Sequence, residues 1–377
     1  ISYSTYLWHQ PLFSFSRLAM LNEPSNLFFI LLILTSFILA FITYRLIESP
    51  FRKNLNIPMY GYFLTAILLI SLGFLGYYSE GFKSRFDEFT TKRLDTATDL
   101  AKLSPPYLCH QKFIDNVNIC EFGDRSTPIS TPKKVLLLGN SHARMLIPAL
   151  DEIFMTNNIV GYHPSQLQSC KYDMPFRSKL VSKEEFEKCL NDWKQMLIKI
   201  SMPSTPVVIS HRLTSFITGE YFINSEGFVE QGYRKNFKNY SNEEIEQNYN
   251  YALQVYEWII KYYENVILIY PVPEVGFNVP KAIFLEEQFS KAINYSTSYN
   301  HFLRRNSISI SLLDNFLNYE NVHQIYPSKN LCNIKNIGRC EVLDSKKIPY
   351  YYDSNHLTPL GTSLFSNEII SILANVK

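Results

Sequence analysis

Residues 135–149, VLLLGNSHARMLIPA, decide the fold of this chain. Four apolar residues, 135–138, bounded by Gly139 predict a short buried strand, and the alternately apolar run 143–154 predicts the helix that follows it. Ser141 then stands at a strand-to-helix elbow. There a hydroxyl is exposed while backbone N–H groups and the positive end of the helix dipole face the oxygen it attacks.

Further along the chain, residues 206–210 (PVVIS) and 266–270 (VILIY) read as strands, and 183–200, 243–263 and 362–374 as helices. Strands separated by helices predict a parallel sheet covered on both faces, an α/β sandwich. In such sheets reactive groups gather beyond the carboxyl ends of the strands, which is where Ser141 falls. A serine hydroxyl needs a base to take its proton, and the base needs a partner that fixes its tautomer. Residues 352–361, YDSNHLTPLG, supply both: Asp353 and His356 lie three apart on a turn before the last helix. Asp-x-x-His alone is common; its weight here comes from the Gly-x-Ser elbow at the other end of the same domain.

Upstream, the chain reads as membrane. Residues 27–44 carry no charge over eighteen positions, close to the ~20 residues that cross a bilayer core. A second uncharged run, 57–78, has tyrosines near both ends, as an aromatic belt places them. The competing reading of each is a buried core helix. Arg45, Arg52 and Lys53 lie between the two runs, so this loop is expected in the cytoplasm and everything after Gly81 outside it. Residues 1–20 are broken by Trp8, His9, Gln10 and Pro11 and fit the end of a span near an interface. With Ile1 in place of methionine, this opening predicts the C-terminal portion of a longer protein. The expected domains are 1–80, transmembrane helices; 81–132, a polar extension or linker; and 133–377, the α/β domain.

The 377 residues are 46% hydrophobic with a formal net charge of +2, too small a field to argue for nucleic acid as a partner. Six cysteines fall as near neighbours, Cys109 with Cys120, Cys170 with Cys189 and Cys332 with Cys340. Fifteen pairings are possible, and the local ones are favoured over buried free thiols, which implies an oxidising compartment. No C-x-x-C spacing points to zinc, and no metal is expected. Of the other histidines, His142 reads as a group supporting the helix start and His9 as an interface residue. His211 reads equally as site lining or strand end.

The arrangement resembles the SGNH (GDSL-type) hydrolase fold. The whole chain is similar to the C-terminal portion of bacterial acyltransferase family 3 proteins fused to a periplasmic SGNH domain. The matching stretches are ISYSTYLWHQP, YRLIESPFRK, GNSHA, YPVPE and DSNHLTPLG, in order along the chain. The resemblance implies an SGNH-like three-layer sandwich with a central parallel sheet, preceded by transmembrane helices. It also implies an O-acyltransferase of the bacterial inner membrane, multi-pass, with its C-terminal domain in the periplasm. The donor would be acyl-CoA, commonly acetyl-CoA, with no cofactor bound in this portion; the partners would be the lipid bilayer and a surface glycan such as lipopolysaccharide O-antigen.

By position, Ser141 would be nucleophile, His356 base and then acid, and Asp353 its orienting partner, with the Ser141 backbone N–H in the oxyanion hole. The chain departs from the fold's usual glycine and asparagine donors: the loop QLQSC has Ser169, and PVVIS is followed by His211-Arg212-Leu213. The Ser169 backbone N–H and the Arg212 guanidinium are the replacement candidates. Asn140 stands where an aspartate is usual. Two other functions compete: a membrane-tethered carbohydrate esterase using the same triad, and a non-enzymatic glycan-binding domain.

Overall fold

The computed structural model describes residues 2–49, 59–98, 109–114, 117–124, 133–164, 182–230 and 240–376. Two units make up the chain: Ile1–Leu94 with Lys281–Ala292, and Asp95–Pro280 with Ile293–Lys377.

In the first unit, Ser2–Leu18 and Asn26–Thr43 are α-helices joined by a short turn, the second continuing as a π turn over Tyr44–Glu48. The pair is pinned by polar contacts inside an apolar surface. Ser4 Oγ donates to Glu48 at 2.6 Å, Trp8 Nε1 donates to Thr43 Oγ1 at 2.8 Å, and the Arg17 guanidinium lies over the Phe29 ring at 5.2 Å. Asn26–Glu48 is the one described helix long and apolar enough to cross a membrane, by length and composition. Leu27, Ile30, Leu31, Leu34, Phe37, Ile38 and Phe41 are exposed on it, the outward apolar surface that hydrocarbon accommodates. The second candidate span forms the helix Met59–Tyr78, of which Ala66–Tyr78 is a shorter apolar helix. Arg52 and Lys53 lie outside the described residues.

The second unit is an α/β fold around a mostly parallel seven-stranded sheet. The strand order runs His110–Ile114, Val117–Gly123, Ile159–Pro164, Lys133–Gly139, Val207–Ser210, Val266–Ile269, Val322–Ile325. The last five are mutually parallel, and Val117–Gly123 pairs antiparallel with both its neighbours. Within residues 81–132, read as an extension or linker, His110–Ile114 and Val117–Gly123 form an edge hairpin of the sheet. The Cys109–Cys120 disulfide ties that hairpin, and Cys332–Cys340 closes a second local loop. Of the third expected pair, Cys170 lies outside the described residues.

Helix placement follows from pattern and caps. Lys183–Ile200 and Asn242–Tyr262 each begin with a Ser-x-x-Glu capping box, Ser182 with Glu185 and Ser241 with Glu244. Phe186, Leu190, Trp193 and Leu197 recur at helical spacing on the first, and Ala252, Val255, Tyr256 and Ile259 on the second. Both stripes are buried against Leu136, Leu138, Val207, Ile209, Val266 and Leu268 of the sheet. Because strand side chains alternate, Val135, Leu137, Val208 and Ile267 point to the opposite face and are as fully buried. That side carries the helices Ile147–Thr156 and Pro359–Asn375, completing three layers.

Candidate active site

Ser141 opens the short helix Ser141–Arg144, directly after the strand Lys133–Gly139. Gly139 makes the elbow possible. Its φ is +138°, and a Cβ there would lie 1.8 Å from the Ser210 carbonyl oxygen and 2.9 Å from the Ala143 Cβ. Asn140 caps the turn, its Oδ1 accepting the His142 N–H at 3.0 Å and the Arg212 N–H at 3.4 Å. That single oxygen links the elbow to the end of the neighbouring strand.

His356 and Asp353 arrive on the turn before Pro359–Asn375, a helix capped by Thr358. Asp353 Oδ1 accepts two backbone N–H groups, from Asn355 and His356, each at 2.8 Å. Its Oδ2 lies 2.6 Å from His356 Nδ1, and His356 Nε2 lies 2.7 Å from Ser141 Oγ. An ionised carboxylate accepts only, so Nδ1 carries the proton and Nε2 is left to accept from the serine. The Tyr352 ring lies 9° from parallel to the His356 ring at 5.4 Å. Burial alone would raise the Asp353 pKa. The hydrogen bond and charge of His356, with the two backbone donors, outweigh it and hold the carboxyl below its ordinary value.

Residues outside the triad support it. His142 is buried, with Nε2 3.2 Å from Asn355 Oδ1 and its ring 5.2 Å from that of His356. Burial first, then the charges of His356 and Arg212, push its pKa well below the ordinary histidine value, against the opposing bond to Asn355. It is a neutral neighbour of the base, consistent with the supporting role read from its position. Asn355 passes the support onward, its Nδ2 donating to Glu230 Oε1 at 3.1 Å.

Arg212 requires a correction. Its guanidinium donates to Glu230 Oε1 at 2.9 Å and Oε2 at 2.7 Å, and from Nε to Glu274 Oε1 at 2.6 Å, with a second, shorter contact from Nη2 to Glu274. Both carboxylates are buried, and the backbone N–H of Arg212 already faces Asn140. Its charge is therefore spent on the ion cluster, which braces both the serine and the histidine turns, and is not free for an oxyanion. Burial opposes the arginine's charge, and the two carboxylates more than offset it, raising its pKa. Glu274 is shifted up by burial and further down by Arg212 and Arg305. Ser169 lies outside the described residues. His211 sits at the strand end with its ring 4.6 Å from Phe216, and burial takes its pKa down to about 3. Glu274 belongs to the quoted stretch YPVPE. Glu230 has no local motif and was not legible.

Several solved structures are similar, three of them as follows. The periplasmic domain of a Salmonella ser. Paratyphi A lipopolysaccharide acetyltransferase is 16% identical, covering 64% of this chain and 84% of that one, with a TM-score of 0.38. A putative acylhydrolase from Bacteroides fragilis NCTC 9343 is 14% identical over 66% of this chain and 93% of that one, with a TM-score of 0.35. A GDSL-like lipase from Bacteroides thetaiotaomicron VPI-5482 is 13% identical over 67% and 93%, again with a TM-score of 0.35. No curated protein matches the chain. The model of the SGNH domain (fused to AT3 domains) matches residues 108–371, from just before the edge hairpin into the last helix, and encloses Ser141, Asp353 and His356. On that match the chain belongs to the family of SGNH domains fused to AT3 domains.

Proposed function

We propose that this protein is a membrane-bound O-acyltransferase that places an acyl group, acetyl in the leading reading, on a hydroxyl of a surface glycan such as lipopolysaccharide O-antigen. The observation that carries the reading is the continuous chain Ser141 Oγ, His356 Nε2, His356 Nδ1, Asp353 Oδ2, with links of 2.7 Å and 2.6 Å. Membership of a family whose SGNH domains are fused to AT3 domains supports acyl handling, and the apolar helix Asn26–Glu48 supports attachment to the inner membrane. The cysteine pairs support a periplasmic location for the second unit.

In the first step Ser141 Oγ attacks the acyl carbonyl carbon and gives its proton to His356 Nε2. Asp353 stabilises the imidazolium without taking the proton. The oxyanion faces the backbone N–H of Ser141, the donor for which this chain offers the simplest case. The tetrahedral adduct collapses, and the leaving group, the carrier atom on which the membrane part delivers the acyl group taken from acyl-CoA, departs with the proton from His356. In the second step a sugar hydroxyl loses its proton to His356 and attacks the Ser141 ester. Ser141 then leaves and recovers its proton.

Water competes with the sugar for the same ester, so hydrolysis is the alternative outcome of the same triad. Surface polysaccharide from cells with an inactivated Ser141→Ala gene separates the two. Loss of acyl groups supports transfer; gain of acyl groups replaces it with esterase activity. A serine-reactive phosphonate tests the nucleophile itself. Labelling that persists in Ser141→Ala removes the assignment, and no labelling of the wild type favours a binding domain.

A further inference from the structure

A cleft of about 350 Å³ is lined by Glu220, Tyr221, Ile223, His301, Arg304 and Arg305. Its first wall follows the helix Leu213–Thr218, which leaves the carboxyl end of the strand Val207–Ser210; its second is the helix Tyr299–Arg305. Ligands of parallel α/β sheets collect at that end, where Ser141 also lies.

The walls are fixed by their own polar groups. Arg305 donates to Glu220 Oε2 at 3.1 Å, to the Glu220 carbonyl at 2.9 Å and to Ser215 Oγ at 3.2 Å, with its guanidinium 6.0 Å from the Phe222 ring. His301 Nε2 lies 2.7 Å from the Ile223 carbonyl oxygen, so that nitrogen carries the proton. What these bonds leave over is Arg304, exposed at the end of its helix, with no carboxylate partner among the described residues, and the ring of Tyr221. Two guanidinium groups against one carboxylate give the lining an excess of positive charge.

The cleft is joined to the nucleophile by contact. Arg305 Nε is 3.6 Å from Glu274 Oε2, Glu274 holds the Arg212 side chain, and the Arg212 N–H donates to Asn140 beside Ser141.

We propose that this cleft binds an acidic sugar of the acceptor glycan, its carboxylate on Arg304 and its ring against Tyr221. The inference rests on the acyltransferase reading for its role and on the cleft alone for its ligand. An aromatic face beside an uncompensated guanidinium suits a pyranose bearing a carboxylate, since the ring offers C–H groups for stacking and the acid pairs with the guanidinium in a charge-assisted bond.

The test is titration of the full chain in detergent, carrying Ser141→Ala to prevent turnover, with glucuronate, glucose and acetate as probes. Glucuronate should bind about tenfold more tightly than glucose, the worth of one charge-assisted hydrogen bond. Acetate should compete poorly, and Arg304→Gln should reduce glucuronate to the glucose level. Equal affinity for glucuronate and glucose, an unchanged glucuronate affinity in Arg304→Gln, or no binding of glucuronate each overturns the proposal. Acetate binding as tight as glucuronate reduces the cleft to an anion site and overturns it as well. Absence of phosphonate labelling in the wild-type chain alongside retained glucuronate binding would remove the acyltransferase reading and leave the sugar site standing.

Discussion

Asp353→Asn separates geometry from chemistry at this site. The native Oδ1 accepts two backbone N–H groups at 2.8 Å while Oδ2 receives the His356 Nδ1 proton at 2.6 Å. An amide has one oxygen for these two jobs. With that oxygen kept on the backbone donors, the NH₂ faces Nδ1 and selects the tautomer protonated at Nε2, which cannot accept from Ser141. The reverse flip sets the NH₂ against two N–H groups and forfeits both bonds, at about 1–3 kcal/mol each. The first orientation wins, and the base is disabled with the turn intact. The expected loss in acylation rate is about 10⁴-fold, or about 5 kcal/mol of barrier. The assay is release of p-nitrophenol from p-nitrophenyl acetate by the full chain, with circular dichroism to show retained structure. A folded Asp353→Asn protein that acylates within about tenfold of wild type would refute the reasoning, since about 1.4 kcal/mol is too little for a lost base.

Three further outcomes follow from the same contacts. Gly139→Ala places a Cβ 1.8 Å from the Ser210 carbonyl oxygen at a φ of +138°, so it should lower stability by about 2 kcal/mol or more and abolish phosphonate labelling of Ser141; a wild-type denaturation midpoint would contradict this. Arg212→Gln leaves the buried Glu230 without its guanidinium and Glu274 with Arg305 alone, and should cost about 3–5 kcal/mol in chemical denaturation. For His211, the folded pKa of about 3 lies below the unfolded value near 6.5, so the unfolded chain binds this proton first as pH falls. Its contribution to stability is complete above pH about 6.5 and is lost toward pH about 3, at up to about 1.4 kcal/mol per pH unit. His142 is depressed by burial in the same direction and adds to that slope. His211→Gln should flatten the acid limb of a denaturation-against-pH series, and an unchanged slope would count against the buried neutral histidine.

The features legible from sequence are those that local chemistry fixes. The helix Lys183–Ile200 announces itself by its Ser182-x-x-Glu185 start and its apolar spacing. Ser141, Asp353 and His356 sit in short motifs whose geometry is settled within a few residues, and the structure brings all three together. The strand Ile159–Pro164 is not legible in sequence, because IVGYHP mixes glycine, histidine and proline. Gly161 is there because the Phe122 ring occupies the place of a Cβ, 2.2 Å away, a contact no window of sequence shows. Val322–Ile325 has a half-polar pattern, VHQI, that hides a parallel edge strand buried at its two ends. The apolar run 143–154 predicts one helix, but it breaks into Ser141–Arg144 and Ile147–Thr156, with Pro148 in the first turn of the second. The roles of Arg212 and Glu230 are hidden from sequence for the same reason. Their meeting depends on chain segments that sequence spacing does not relate, so a guanidinium that looks free beside a nucleophile is in fact committed to two buried carboxylates.

In the proposed reaction an acyl group rests on Ser141 on its way to a glycan. Rapid quenching of the full-length protein during turnover with an acetyl donor, followed by peptide mass mapping, tests it directly. One acetyl ester is expected on the peptide containing Ser141, formed before the glycan is modified, discharged when glycan is added, and lost in Ser141→Ala together with glycan acetylation. Glycan acetylation that continues in Ser141→Ala, or an acetyl group trapped on another residue, would contradict it.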